Sequence, residues 1–146
     1  MSETRIFVSF DVDHDVDLSD LVSEQSHQGG SGFLVSARSR SGEVTERWCE
    51  ATRRDIRDAD QVIVICGEHT RDCARVNAEL DIALEEKKPY FLLWGRRERD
   101  CTMPQRVQRT GCMYSWSPEI LLQQIWALRK TRLLDIPDRA KRQKNN

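Results

Sequence analysis

Gln61-Val62-Ile63-Val64-Ile65-Cys66, with Gly67-Glu68-His69-Thr70 after it, is the stretch that decides the fold. From Val62 to Cys66 the side chains are apolar, without the alternation of a half-exposed strand, so the segment reads as a strand covered on both faces. Such a strand belongs in the middle of a parallel sheet flanked by helices. Downstream, Val76, Leu80, Ala83 and Leu84 recur at helical spacing, and Lys87, Lys88 and Pro89 bring that helix to an end. Tyr90-Phe91-Leu92-Leu93-Trp94 is the next strand, closed by Gly95. Arg96 to Thr110 reads as an exposed irregular loop with one short turn. Met113-Tyr114-Ser115-Trp116 is a short strand, and Ser117-Pro118-Glu119 opens a last helix carrying Ile120, Leu121, Ile125 and Leu128.

Upstream of the deciding stretch, Arg5-Ile6-Phe7-Val8-Ser9-Phe10 is β-branched and aromatic and predicts a strand. It runs into an acidic segment, Asp11 to Asp17, read either as a solvated loop or as a cation site. Leu18, Leu21 and Val22 give a brief helix from Ser19 to Gln25, and Gln28-Gly29-Gly30-Ser31-Gly32 breaks it. Phe33-Leu34-Val35-Ser36 is a weaker strand, followed by a polar loop from Ala37 to Gly42. Val44, Trp48 and Ala51 then carry a helix from about Glu43 to Asp58. The alternation predicts an α/β fold: a five-stranded parallel sheet with helices on both faces. The domain is expected over residues 1–130, with a basic and partly disordered tail over 131–146.

The 146 residues suit one domain, and a net charge of −1 gives no field that would gather nucleic acid. The basic tail lacks interleaved aromatic residues, so nucleic-acid binding is not expected there either. No apolar run approaches the length of a membrane span, and the chain start lacks a signal-peptide core, which predicts a cytoplasmic protein. Five cysteines without a CxxC pair, and histidines without paired spacing, predict reduced thiols and no metal site.

In parallel sheets ligands gather beyond the carboxyl ends of the strands, so the loops after Phe10, Ser36 and Cys66 are the places to search. Four common occupants of the architecture fail there. A flavodoxin-type phosphate loop is excluded by Asp11, Asp13, Asp15 and Asp17, and a phosphate-accepting receiver lacks its strand-end aspartate. G-x-G-x-x-G is missing after the first strand, and a calcium loop would need glycine where Val16 stands.

Four segments, in order, resemble the TIR-like family of prokaryotic antiphage Thoeris systems, the ThsB type, whose fold is flavodoxin-like. They are Arg5-Ile6-Phe7-Val8-Ser9-Phe10-Asp11; Trp48 with Arg57-Asp58-Ala59-Asp60; the strand-Gly-x-x-Thr pattern from Val62 to Thr70; and Val76-Asn77-Ala78-Glu79-Leu80-Asp81-Ile82-Ala83. The resemblance implies a three-layer sandwich and assigns the catalytic glutamate to Glu79. It implies cleavage of NAD at the nicotinamide–ribose bond and cyclisation of the ADP-ribose product into a signal, with NAD as substrate and no separate cofactor. It further implies a homo-oligomer when active and a signal-sensing effector protein downstream. Better-known TIR enzymes carry tryptophan four residues before the glutamate, packing near the nicotinamide; here that position is Arg75, which becomes the candidate substrate contact on that side.

Independently of the family, Glu79 lies about 80° from the centre of its helix's apolar stripe, at the margin between core and solvent. A carboxylate there suits a reaction that passes through an oxocarbenium-like sugar, and cyclisation would need water excluded while adenine folds back. The plainer reading is an exposed glutamate paired with Arg75. Further candidate substrate contacts are Phe10 and Asp11 on the adenine–ribose side, or else strand-end packing; Ser36, with Arg38 for pyrophosphate, or else a solvated loop; and Trp48, as stacking platform or core. His69 is either a proton relay or a turn residue. The alternative function is a non-catalytic interaction module on the same fold.

Overall fold

The computed structural model describes residues 3–107 and 112–129. In chain order it holds β1 (Thr4–Ser9), α1 (Val16–Ser26), β2 (Phe33–Arg38), α2 (Glu46–Arg57), β3 (Gln61–Cys66), α3 (Ala74–Glu85), β4 (Tyr90–Trp94), β5 (Met113–Ser115) and α4 (Pro118–Arg129). The strands form one sheet in the order β2-β1-β3-β4-β5, every pair parallel. All of β3 is buried, as its unbroken apolar run requires.

Alternation along the strands divides the core into two layers. Ile6, Val8, Ile63, Ile65 and Leu93 point to one face, where Leu18 and Val22 of α1 and Leu121 and Ile125 of α4 cover them. Phe7, Val62, Val64 and Leu92 point to the other, beneath Ile56 of α2 and Val76, Ile82 and Ala83 of α3. Ser9 follows Phe7 by two residues in β1 and therefore faces the α2/α3 layer. Chain order reverses between β1 and β3, so the first crossover runs to one side of the sheet and the next to the other. The crevice above that reversal is where this class of fold binds ligands.

Several boundaries depart from the sequence reading for local reasons. β1 ends at Ser9, leaving Phe10 as the first residue of the crevice. α1 begins at Val16, inside the acidic run, because Asp15 takes the N-cap position and its carbonyl accepts from Leu18 and Ser19. β2 continues through Ala37 and Arg38, which were expected in a loop. A bulge permits this: Ile6 pairs with Val35 and Phe7 with Ala37, so Ser36 is the extra residue. Its hydroxyl donates to the Ile6 carbonyl at 3.2 Å. α2 starts later than expected, at Glu46, with the Thr45 hydroxyl accepting from the Trp48 amide. The segment after β4 is only partly exposed, since Cys101 is buried and Met103 and Val107 pack on the α2/α3 layer. Its residues 108–111, like the tail at 131–146, lie outside the described residues. Among those described, no helix is long and apolar enough to cross a membrane.

Candidate active site at the head of the sheet

Glu79 lies on the second turn of α3 and is 0% exposed. The helical wheel placed it at the margin of the apolar stripe. The structure closes that margin, because the end of β1 and the chain leaving β2 pack over it. Ser9 of β1 and Ser39, one residue beyond β2, both donate their hydroxyls to Glu79 Oε1, at 2.6 and 2.7 Å. Ser39 is itself fixed: its amide donates to the Val8 carbonyl at 2.9 Å, and its hydroxyl accepts from the Phe10 amide at 2.9 Å. Glu79 Oε2 is buried, with no hydrogen-bond partner among the described residues.

This environment sets the proton affinity of the carboxyl. Burial removes the water that would solvate an anion and pushes the pKa up to about 8; the two serine hydroxyls and the nearby Arg75 and Arg40 guanidinia pull the other way without prevailing. Near neutrality the sealed group is therefore mostly a neutral acid. A modest change in solvation or in neighbouring charge would convert it to a carboxylate.

Arg75, one helical turn before Glu79, does not form the ion pair expected from their spacing. Its Nη1 donates to the Gly42 carbonyl at 2.9 Å and its Nη2 to Asp13 Oδ2 at 2.8 Å, while Nε is buried without a partner among the described residues. It thus joins α3 to the loop after β1 and the loop after β2. Trp48 lies beneath the second of these loops, 6% exposed, and its indole N–H donates to the Arg40 carbonyl at 3.2 Å. It is a support for residues 40–44 and belongs to the core side of its two readings.

On the β1 side, Asp11 is buried; its Oδ1 accepts from the Asp13 amide at 3.0 Å and its Oδ2 lies 2.8 Å from His14 Nδ1. That contact holds the imidazole pKa above its ordinary value. His69 stacks on His14 with ring centroids 3.9 Å apart, so it is more than a turn residue. A cavity of about 420 Å³ opens among Asp11, Asp13, His14, His69, Cys73 and Arg75. Glu79 does not line it. A larger hollow, about 540 Å³, lies on the α1/α4 side by Leu18, Trp94 and Trp116, and includes none of these residues.

The remaining candidates fall elsewhere. Phe10 packs in the α1/α4 layer and touches the site only through its amide. Ser36 serves the bulge of β2. Arg38 reaches to Ser19 and Asp20 of α1, at 3.1 and 2.7 Å, on the layer opposite Glu79. The structure therefore gathers Glu79, Arg75 and Asp11 around the crevice, with Trp48 beneath its loop, and leaves Ser36 and Arg38 outside it. Sequence reasoning missed Ser9, Ser39, Asp13 and Arg40. Ser9 carried a usable signal, being the polar residue in the otherwise apolar run from Ile6 to Phe10. Among the described residues no cluster of His, Cys, Asp and Glu is placed to hold a metal ion.

The strand-Gly-x-x-Thr pattern now has a physical content. The buried Thr70 hydroxyl accepts from the Gly67 amide at 2.7 Å, closing the turn after β3. Gly67 has no room for a side chain, since a Cβ there would stand 2.2 Å from Asp15 Oδ2.

No curated protein matches the chain. A family model described as the Thoeris protein ThsB, TIR-like domain, matches residues 7–99, well over half of the chain, and that span runs from β1 to just beyond β4. With the parallel sheet in flavodoxin-like order and a glutamate held on the helix after its central strand, the chain belongs to the TIR-like ThsB family of Thoeris antiphage defence.

Proposed function

We propose that this protein consumes NAD, breaking the nicotinamide–ribose bond with Glu79 as the reacting carboxyl group and cyclising the ADP-ribose product into a signalling nucleotide. One observation carries the reading: a carboxyl group is buried at the head of the sheet, on the helix that follows the central strand, and two hydroxyls address only one of its oxygens. Asp15 Oδ2, in a structural junction, is also without a partner among the described residues, so the orphan oxygen counts only together with the complete burial of Glu79 at the strand ends. Glu79 Oε2 is left for another partner.

The chemistry follows from charge. When the C1′–N bond breaks, its electron pair moves to the pyridinium nitrogen, nicotinamide leaves neutral, and positive charge develops on the ribose. A carboxylate beside the ribose stabilises that charge. The sealed Glu79 is mostly neutral, but opening to solvent or approach of the cationic ring lowers its pKa and generates the anion where it is needed. Ser9 and Ser39 hold Oε1, so the free oxygen is the one directed to substrate. Cyclisation then requires an adenine nitrogen, rather than water, to capture the ribosyl cation, and a crevice closed by the loops after β1 and β2 favours that outcome.

The sealed state also suits a non-catalytic interaction module, in which Glu79 merely braces two loops. Mass spectrometry of nucleotides separates the two readings, with cells expressing the native chain or Glu79→Gln, with and without phage. The expected result is NAD loss and a new ADP-ribose isomer with the native chain, and about a hundredfold less of both with the variant. Equal nucleotide pools in the two strains under infection would establish the interaction module.

A further inference from the structure

We propose that Arg75 is the latch of this site: its fork onto Asp13 and the Gly42 carbonyl holds the loops after β1 and β2 together over Glu79, and must release before anything reaches that carboxyl. The inference deepens the reading of Glu79 as the reacting group and rests on it.

Three observations support it. Glu79 is entirely buried and lines neither of the two cavities described above, whereas Asp13 and Arg75, the latter one helical turn before Glu79, line the smaller one, so the fork forms part of that cavity's wall beside the sealed carboxyl. Ser39 already binds the start of the loop after β2 to Val8, Phe10 and Glu79, but the chain beyond it is lightly tied. Every residue from Arg40 to Val44 is exposed, and Gly42 sits at φ +104°, a conformation that suits a pivot. The contacts that brace this segment, Trp48 to the Arg40 carbonyl and Arg40 to Asp55 at 2.5 Å, hold it to α2 and leave its approach to α3 to Arg75. Finally, Arg75 Nε and Glu79 Oε2 are both buried without partners among the described residues. Opening gives both atoms partners, so it relieves a cost that closure maintains.

The fork is weak by design of its partners. The Asp13 side chain is 70% exposed, and an ion pair so placed contributes little and weakens with salt. A ligand carrying phosphate oxygens competes for the same guanidinium donors, because they match phosphate as well as carboxylate. Arg38, paired to α1 on the opposite layer, is not placed to do so. The latch thus couples the arrival of an anionic group to the uncovering of Glu79.

The test labels carboxyl groups of the full chain with a water-soluble carbodiimide and glycinamide at neutral pH, reading Glu79 by peptide mass spectrometry. Asp13→Ala removes one anchor without touching the core, and Arg75→Lys keeps the cation beside Glu79 while losing the fork. Both are expected to raise the Glu79 labelling rate about two- to fivefold, the range of an exposed ion pair. High salt should accelerate labelling of the native chain and not of Asp13→Ala. Sodium pyrophosphate should accelerate it beyond sodium chloride of the same ionic strength. Labelling at the native rate in both variants, or no labelling in any of them, overturns the latch. If labelling rises in both while no variant consumes NAD, the latch stands and the nucleosidase reading falls.

Discussion

Ser9 and Ser39 donate to the same oxygen of Glu79, at 2.6 and 2.7 Å, and this shared target fixes what each contributes. A hydroxyl hydrogen bond to a carboxylate favours the charged form, so each serine lowers a pKa that burial has raised. Removing either is expected to move it further upward. If the carboxylate is the active form, Ser9→Ala should shift the pH midpoint of NAD consumption to more alkaline values by about one unit, with activity recovered at high pH. Ser39→Ala should act likewise, with an added loss of stability because the Phe10 amide also loses its acceptor. A pH–rate profile across pH 6–10 checks both; an unchanged midpoint with a uniformly lower rate would show that the serines position rather than tune. The glutamate was legible in the sequence because a helix period and a recognisable segment place it. Of the serines, Ser9 showed only as the polar residue in an apolar run; the role it shares with Ser39 was not legible, because it depends on two strand ends meeting over α3, a tertiary relation that no local spacing encodes.

The start of α1 and the turn after β3 meet at a close approach between Asp15 and Gly67, and the meeting explains several things at once. Asp15 occupies the N-cap position of α1, is 2% exposed, and accepts from Arg96 at 3.1 Å on one oxygen, while the other has no partner among the described residues. Burial raises its pKa, and Arg96, which also pairs with Asp17 at 2.8 Å, opposes the rise. The acidic run is therefore a built junction tying β1, α1 and the chain after β4, although it was read as a solvated loop. Charge composition alone suggested exposure; the cap position and the Arg96 partner lie outside what composition contains. Because Gly67 abuts the Asp15 carboxylate, Gly67→Ala is expected to destabilise the fold by about 1–3 kcal/mol, the usual cost of overpacking. Chemical denaturation measures it, and Asp15→Ser, with a shorter side chain, should recover part of the loss in the double variant. Additive losses would mean that the two elements do not touch in solution. The strands and the later helices were legible because their periodicities are strong. The extension of β2 was not, because a bulge at Ser36 resets the pairing register.

At the scale of the whole molecule, the β2-β1-β3-β4-β5 order places the crevice between two helical layers, and Glu79 closes it as a buried acid. This has a consequence for global stability that needs no substrate. The group's pKa is near 4.5 in an unfolded chain and about 8 in the folded one. Below the first value both states hold the proton and Glu79 imposes no pH dependence. As pH rises from there toward 8, the unfolded chain releases its proton and the native state keeps it, so the native state loses ground at up to about 1.4 kcal/mol per pH unit. Above the folded value both states are ionised and the loss levels off. Glu79→Gln removes this titration while keeping an acceptor for Ser9 and Ser39. Unpartnered amide hydrogens cost the variant something at every pH, but that cost does not vary with pH. The difference in unfolding free energy, variant minus native chain, is therefore expected to grow in the variant's favour between about pH 5 and pH 8 and to flatten above it. Other titrating groups cancel in the difference. Urea titrations at five pH values measure it. Parallel curves would mean that Glu79 ionises as it does in water, that the crevice stands open in solution, and that the serine contacts do not seal it. A widening gap would show a site held closed at a cost to stability, the condition under which a ligand that opens it can act as its switch.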